Sequence, residues 1–281
     1  MIKRTVLALL LALLTIPMMA DGRRFTLVID AGHGGHDFGA PGAVTNEKTL
    51  TLRYALAFGR MVEERCPDVR VIYTRKRDVF IKLIDRAEIA NRNKADLFMS
   101  FHINAVEGSR SARGFQTWTL GRGASTGNKG IMENLDVAKR ENSVILMEKD
   151  YKQVYKGIDQ NSAESDIMFE FIADKNRERS VELAKLMQRE VCRATGRVNA
   201  GAHQNNLAVL RLSSMPSCLL ELGFISTPDE ERFLNSDAAL TLYTQGIFNA
   251  FLQYKMRFAD KITVPYKADD NTPRALPQIV P

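Results

Sequence analysis

The chain has 281 residues, of which 45% are hydrophobic and 26% are charged, and its formal net charge is +6. This composition is typical of globular proteins, and the length suits one large domain or two small ones. No run of five basic residues occurs and there is one Trp, so the sequence gives little support to nucleic-acid binding. The three cysteines are widely spaced, which predicts buried thiols rather than a disulfide framework.

The first twenty residues predict a secretory signal peptide. Lys3 and Arg4 precede an apolar stretch over 6–16, and small Ala20 suits a cleavage site. The apolar stretch is too short to span a membrane, and no cysteine follows it that could carry a lipid. We therefore expect a periplasmic or secreted protein with no stable membrane anchor. Loss of residues 1–20 lowers the formal charge from +6 to +4, because both charged residues in them are basic.

Strands and helices are predicted to alternate from residue 25 onward. Short apolar runs predict buried strands over 25–30, 68–75, 95–105, 114–120, 207–211 and 217–224. Apolar residues at helical spacing predict helices over 47–66, 81–93, 176–194 and 237–256. This alternation indicates an α/β fold with one domain over residues 24–256. Its central twisted sheet, mostly parallel or mixed, is expected to have helices on both faces.

Two segments depart from this alternation. Residues 121–171 begin as a glycine-rich loop, continue with a helical pattern over 131–150 and reach a capping pattern at 161–164, so we predict a helical insertion there. Residues 257–281 contain four prolines and alternating charges, which predicts a polar tail rather than another domain.

Two histidines and a glutamate lie at the ends of predicted elements. His33 follows the first strand, His102 lies at the end of the third, and Glu47 begins the first helix. The carboxyl ends of parallel strands line one edge of a sheet, where ligands bind. Together the three side chains form a His₂Glu set of the kind that holds zinc in hydrolases and leaves a fourth position for water. Taken alone, each residue is more often structural, as a turn histidine or as an acid placed at a helix dipole.

Glu221 is a carboxylate within the apolar strand CLLELGF. A buried charge is costly unless it is paired, so this residue needs either a partner or a function. Beside a metal-activated water it would act as a general base. An arginine or backbone amides could equally satisfy it, and the residues alone leave both interpretations open.

Several segments, in order along residues 25–256, resemble those of one enzyme family. VIDAGHGGHDFGAPG, NEK, SFHINA and LLELGFIS resemble the signature segments of zinc-dependent N-acetylmuramoyl-L-alanine amidases, and YTRKRDVFIKLIDRAEIAN resembles a further stretch of that family. The resemblance implies a catalytic domain in which His33, Glu47 and His102 bind Zn²⁺ and Glu221 is the catalytic acid and base. It also implies hydrolysis of the amide between N-acetylmuramic acid and L-alanine in peptidoglycan, and we expect a monomer.

The resemblance also bears on the insertion. In some cell-separation amidases an inserted helix covers the zinc and offers it a carboxylate, so that an activator protein must displace it. Glu141 and Glu133 are the candidates we consider first, and the others are Asp136, Glu148 and Glu164. The insertion could instead be a fixed wall of the substrate groove, which is the interpretation we slightly favour.

Three further residues receive weaker assignments. His36 lies close to His33 but outside the ligand position of the motif, so we expect a loop or substrate contact. His203 is expected at the rim, in a polar loop before a strand. Arg86 is expected to form a structural salt bridge with an acid such as Asp78, and substrate binding is the alternative.

Two other functions compete with amidase activity. A catalytically silent or autoinhibited wall-binding module would keep the fold, but the complete ligand set with Glu221 argues against a silent one. A zinc peptidase that cuts stem-peptide crosslinks is disfavoured because HExxH is absent and the candidate ligands are dispersed.

Overall fold

The computed structural model describes residues 23–121, 137, 140–147 and 163–259, with side chains from residue 176 in the last range. The predicted signal peptide, Glu133 and almost all of the predicted tail lie outside the described residues, as do Asp136 and Glu148. Within the described part, no helix combines the length and the apolar character needed to cross a membrane.

A mixed sheet forms the centre of the molecule. Within the described residues its six strands are β1 (Phe25–Ala31), β2 (Val69–Tyr73), β3 (Leu97–Asn104), β4 (Phe115–Leu120), β5 (Asn199–Asn205) and β6 (Ser217–Phe224). Their order is β2-β1-β3-β6-β4-β5. Only the β4–β6 pair is antiparallel, while β1 pairs in parallel with β2 and β3, β3 with β6, and β4 with β5. The predicted α/β fold with a mostly parallel or mixed sheet is therefore confirmed.

Helices cover both faces of this sheet. They are α1 (Glu47–Arg65), α2 (Leu83–Arg92), α3 (Ala163–Thr195), α4 (Ala208–Arg211), α5 (Pro228–Asn235) and α6 (Asp237–Phe258), with a 3₁₀ helix at Ser143–Met147. One apolar cluster joins α1, α3 and α6 to one face, and a second joins α2, α4 and the insertion to the other. Every residue of β1, β3 and β6 is buried, as expected for strands covered on both sides.

The sequence prediction is wrong around residues 199–211. The predicted strand at 207–211 is instead the helical turn α4, and the edge strand β5 lies just before it. Leu207 to Leu210 are buried in the observed turn, and a short buried apolar run is consistent with a strand or a helix. β5 has the polar sequence NAGAHQN and is only partly buried, so it lacks the apolar signal of a central strand. His203 therefore lies in a strand and not in a loop.

Helix boundaries also differ from the predicted ones. The helix expected after the capping pattern at 161–164 and the helix predicted over 176–194 are one continuous helix, α3, and the short α5 was not predicted. α1 begins where the sequence places it, because the side chain of Asn46 accepts a hydrogen bond from the Thr49 amide and caps the helix. This cap fixes Glu47 as the first helical residue.

Candidate metal centre

The three predicted ligands meet at the carboxyl ends of β1 and β3. The Nε2 atom of His33 lies 3.1 Å from Glu47 Oε1, and His102 Nδ1 also lies 3.1 Å from that oxygen. The two imidazole rings are edge to face with centroids 4.9 Å apart. All three side chains are buried. The fold thus places the two histidines and the glutamate in one cluster.

Glu141 of the insertion joins the same cluster. Its Oε2 lies 2.7 Å from His102 Nδ1 and 3.3 Å from His33 Nε2. One ligand atom from each of the four residues lies within 4.8 Å of all the others. This position favours an insertion that covers the cluster over one that is only a wall of a groove. Glu164, another candidate carboxylate, belongs to α3, and its side chain lies outside the described ones.

The chemistry of this donor set fits zinc. Two imidazole nitrogens and two carboxylates are zinc ligands, and four is the usual coordination number. Among the described residues, the buried atoms His33 Nε2 and Glu141 Oε2 make no hydrogen bond of good geometry, although each lies within 3.3 Å of other ligand atoms. Buried polar atoms of this kind need compensation, which a cation would supply.

Electrostatics also favour a cation at this point. Burial lowers the pKa of both histidines, but the surrounding carboxylates outweigh it. The charge of Glu47 then raises the pKa of His33 well above its usual range, and Glu141 contributes most to raising that of His102 to about 10. The negative potential that stabilises a protonated imidazole would equally stabilise a metal ion, which would displace those protons.

Further contacts orient the ligands. Asp37 Oδ2 lies 2.9 Å from His33 Nδ1, which leaves Nε2 facing the cluster. Glu47 accepts hydrogen bonds from the Ala40 amide at 2.8 Å and from the Ile103 amide at 2.9 Å. A carboxylate behind a ligating histidine is a common feature of metal sites. Sequence reasoning did not single out Asp37, although an acid four residues after a candidate ligand was an available signal.

Arg86 lies under the His33 turn and contacts no described metal-ligand side chain. It donates to Asp30 Oδ1 at 2.9 Å, to the Ala31 carbonyl at 2.6 Å and to the His33 carbonyl at 2.7 Å. The expected pairing with Asp78 is wrong. Asp78 is half exposed and pairs with Lys48, whereas Arg86 is buried and reaches Asp30.

Glu221 lies beside the cluster on β6, opposite His102 in the parallel pairing of β3 and β6. Its Oε1 accepts a hydrogen bond of 3.0 Å from Arg140 of the insertion, while its buried Oε2 has no hydrogen-bond partner within the described residues. Burial raises the pKa of Glu221 to about 8, and the charges of Glu47 and Glu141 add to it, although Arg140 acts in the opposite direction. Among the described residues, Glu221 thus has an arginine partner at Oε1 and no hydrogen-bond partner at Oε2.

The other two histidines lie outside the cluster. His36 is exposed, and its ring lies 4.1 Å from that of Phe80 between centroids. His203 stacks on Trp118 at 4.7 Å, and its Nε2 lies 2.8 Å from the Ala200 carbonyl. Neither ring belongs to the group of four side chains that could hold an ion.

Comparison with known proteins connects this site to one family. A family model described as N-acetylmuramoyl-L-alanine amidase matches residues 27–253. The chain is 29% identical over 236 residues to the N-acetylmuramoyl-L-alanine amidase AmiA of Escherichia coli K12, covering 82% of this chain and 78% of that protein.

Solved structures agree with this match. The crystal structure of an N-acetylmuramoyl-L-alanine amidase from Clostridium difficile 630 superposes with a TM-score of 0.62 at 27% identity, covering 84% of this chain and 100% of that one. The catalytic domain of CwlV, an amidase of Paenibacillus polymyxa, superposes with a TM-score of 0.58 at 27% identity, covering 82% and 97%. The resemblance seen in the sequence is confirmed, and the chain belongs to the N-acetylmuramoyl-L-alanine amidase family of hydrolases.

Proposed function

We propose that this chain is an exported zinc amidase that hydrolyses the bond between N-acetylmuramic acid and L-alanine, and that its insertion keeps it inactive until displaced. Peptidoglycan is the substrate of the family to which the chain belongs. The observation that carries the proposal is the meeting of His33, Glu47 and His102 beside Glu221, with Glu141 closing the cluster. We assign the catalytic domain to residues 24–256 and the leader to residues 1–20.

His33, Glu47 and His102 would hold the zinc ion. When bound, zinc would supply Lewis acidity, which would polarise the amide carbonyl and make a water nucleophilic near neutral pH. The chain itself supplies the orientation of these ligands, through Asp37 behind His33 and through two backbone amides that fix Glu47. A buried site also strengthens the interaction between the ligands and the ion.

Glu221 would move the proton. Its free Oε2 takes a proton from the attacking water and passes it to the alanine nitrogen as the C–N bond breaks. Burial raises the pKa of Glu221, which makes its carboxylate a stronger base than an exposed one. Such a base is matched to proton transfer near neutral pH.

The insertion would act as the inhibitor. Glu141 takes up ligand space at the cluster, and Arg140 neutralises Glu221, so both the metal and the base are engaged. We infer that an activator protein withdraws the insertion in the cell. Deletion of residues 127–160 is expected to raise activity on purified sacculi, and a folded but less active deletion variant would overturn the inhibitory role.

Digestion of purified sacculi tests the enzyme function directly. The deletion variant is expected to release free stem peptides, and the release is expected to stop with a chelator or with Glu221→Gln. Glu64→Gln is the matched control, because Glu64 is exposed on α1. If no condition releases peptides while the folded protein still binds sacculi, the chain is a silent wall-binding module.

A further inference from the structure

Arg140 donates to Glu141 Oε1 beside it, at 2.8 Å from Nε and 2.6 Å from Nη2, and also to three acceptors outside the insertion. Its Nη1 donates to Asn104 Oδ1 at 2.7 Å and to the Ala105 carbonyl at 2.8 Å, and its Nη2 donates to Glu221 Oε1 at 3.0 Å. Asn104 and Ala105 lie at the end of β3, two and three residues beyond His102. A hydrogen-bond donor is therefore well accommodated at the position of the guanidinium, which lies next to Glu221, the proposed base.

The acceptors at this place are held by the sheet and not by the insertion. Asn104 is 2% exposed, and its Nδ2 donates to Gln116 Oε1 at 2.7 Å. Gln116 in turn lies opposite Glu221 in the pairing of β4 and β6. With its amide nitrogen engaged by Gln116, Asn104 presents its oxygen to Arg140. The Asn104 oxygen also accepts a hydrogen bond from the Ala105 amide at 2.7 Å, so the guanidinium uses its second lone pair. When the insertion leaves, that lone pair and the Ala105 carbonyl lose the guanidinium as a donor.

In charge, the side chains of Glu141 and Arg140 resemble the two product groups of amide hydrolysis. The carboxylate of Glu141 lies among the metal ligands, and the cationic guanidinium of Arg140 lies at the acceptors. Hydrolysis of a secondary amide likewise yields a carboxylate and an ammonium group. Asn104 Oδ1 and the Ala105 carbonyl carry partial negative charge, and the Glu221 carboxylate carries a full negative charge. These groups therefore attract the ammonium product and repel the carboxylate product.

Building on the proposed function, we propose that Asn104 Oδ1 and the Ala105 carbonyl bind the alanine nitrogen of the scissile amide, and that Arg140 occupies this subsite while the insertion is closed. Water oxygen forms a bond to the carbonyl carbon, the C–N bond breaks, and Glu221 carries both protons of the water in turn to the nitrogen, which leaves a carboxylate and an ammonium group. The nitrogen has one N–H in the amide and three in the ammonium product. Its hydrogen bonds to Asn104 and Ala105 therefore strengthen along the reaction, which favours turnover more than substrate binding.

A binding experiment tests the subsite without relying on catalysis. In the full chain carrying Arg140→Ala and Glu141→Ala, a stem tripeptide with a free amino terminus is expected to bind about tenfold or more tightly than its N-acetylated form, as measured by calorimetry. The added change Asn104→Leu is expected to remove this preference. Asn104→Asp is expected to retain it, since it keeps an acceptor and Gln116 can turn its amide to donate. Equal binding of the two peptides to the open protein overturns the proposal.

Kinetics on a soluble muramoyl tripeptide provide the second measurement. In the same open background, Asn104→Leu is expected to lower kcat about 10- to 100-fold with little change in KM and no loss of bound zinc. Asn249→Leu is the control, because Asn249 lies on α6 and contacts Gln245 one turn away. An unchanged kcat, or a loss that follows zinc content or unfolding, overturns the subsite. If the open protein prefers the free amine but hydrolyses nothing, the subsite stands and the proposed amidase activity fails.

Discussion

His33 has a backbone conformation that few residues adopt. Its φ is 60°, in the left-handed region, and Gly35 two residues later has a φ of 59°. Such a conformation costs a non-glycine residue about 1–2 kcal/mol. Arg86 offsets this cost by donating to the His33 carbonyl, and Asp37 fixes the imidazole. His33, a proposed zinc ligand, is thus positioned by contacts to both its backbone and its ring.

Gly32 is the residue whose side-chain size matters most directly to His102. A Cβ atom at Gly32 would lie 2.4 Å from His102 Nε2, so Gly32→Ala must push the imidazole away. We expect about 10- to 100-fold weaker zinc binding, the range found when support for a metal ligand is lost. Competition with a coloured chelator measures it. Gly121→Ala is the control, since the nearest atoms would lie at 3.4 Å. Unchanged affinity in Gly32→Ala would contradict the packing argument.

Asp30 and Arg86 form a buried ion pair under the site. Asp30 also accepts hydrogen bonds from Thr74 Oγ1 at 2.7 Å and Ser100 Oγ at 2.6 Å. Burial raises the pKa of Asp30, but Arg86 and the two hydroxyls lower it more, so the net pKa is below its usual value. Because the folded pKa is below the unfolded value of about 4, this stabilisation is complete above that pH and is lost as pH falls through the folded pKa.

Urea unfolding of the metal-free protein tests this ion pair. Asp30→Asn is expected to cost about 3–5 kcal/mol near pH 7, because it leaves Arg86 buried without its carboxylate. The variant should also lose less stability than the wild type between pH 5 and pH 2, roughly the range in which a depressed carboxyl titrates. If the free energy of unfolding changed with pH in the same way in both proteins, Asp30 would not titrate as described.

At the scale of elements, the insertion is held to the domain by two kinds of contact. Val137, Val144 and Ile145 belong to the apolar cluster that also contains Trp118. Arg140 and Glu141 make the polar contacts with the site. Weakening the apolar contacts should therefore free the polar ones without altering any residue of the site.

Val144→Asp is the corresponding test. A carboxylate in this apolar cluster is costly, so the insertion should separate from the sheet. Trp118, the one Trp of the chain and 1% exposed, should then show red-shifted fluorescence, and hydrolysis of sacculi should increase. Val198→Asp is the control because Val198 is already 54% exposed. A red shift without increased hydrolysis would indicate that the insertion is a wall rather than an inhibitor.

At the scale of the molecule, strand order assembles the site. β1, β3 and β6 are neighbours and parallel, so their carboxyl ends lie at one edge. His33, His102 and Glu221 come from these three strands or their ends, and α1 adds Glu47. Zinc would therefore bind the folded chain and not the unfolded one, and binding becomes folding stability.

Thermal unfolding with and without zinc measures this linkage. At a free zinc concentration 100-fold above Kd, the expected gain is about 2.7 kcal/mol, which should raise the Tm. His102→Asn is expected to lose the zinc-dependent shift, while His36→Asn should keep it because His36 lies outside the cluster. An equal shift in both variants would place the ion elsewhere.

Much of the fold was predictable because its central strands carry unambiguous apolar runs. β1, β3 and β6 are buried over their full length, and each was predicted close to its observed bounds. β5 and α4 were not predicted, since a polar edge strand lacks an apolar run and a short buried run suits either conformation. Local sequence predicts a helix or a strand only where burial makes apolar residues recur at the spacing of that element.

The sequence by itself determined the chemistry of the site: His33 and His102 at strand ends, Glu47 at a capped helix start, and Glu221 as a carboxylate in a buried strand. Only the tertiary structure decided which residues from distant segments contact these side chains. Arg140 bonds Glu221 across 81 residues of sequence, and Glu141 meets His33 and His102 from the insertion. The physical reason is that residue type and local period fix an element and its chemistry, whereas contacts between distant segments depend on how complete elements pack.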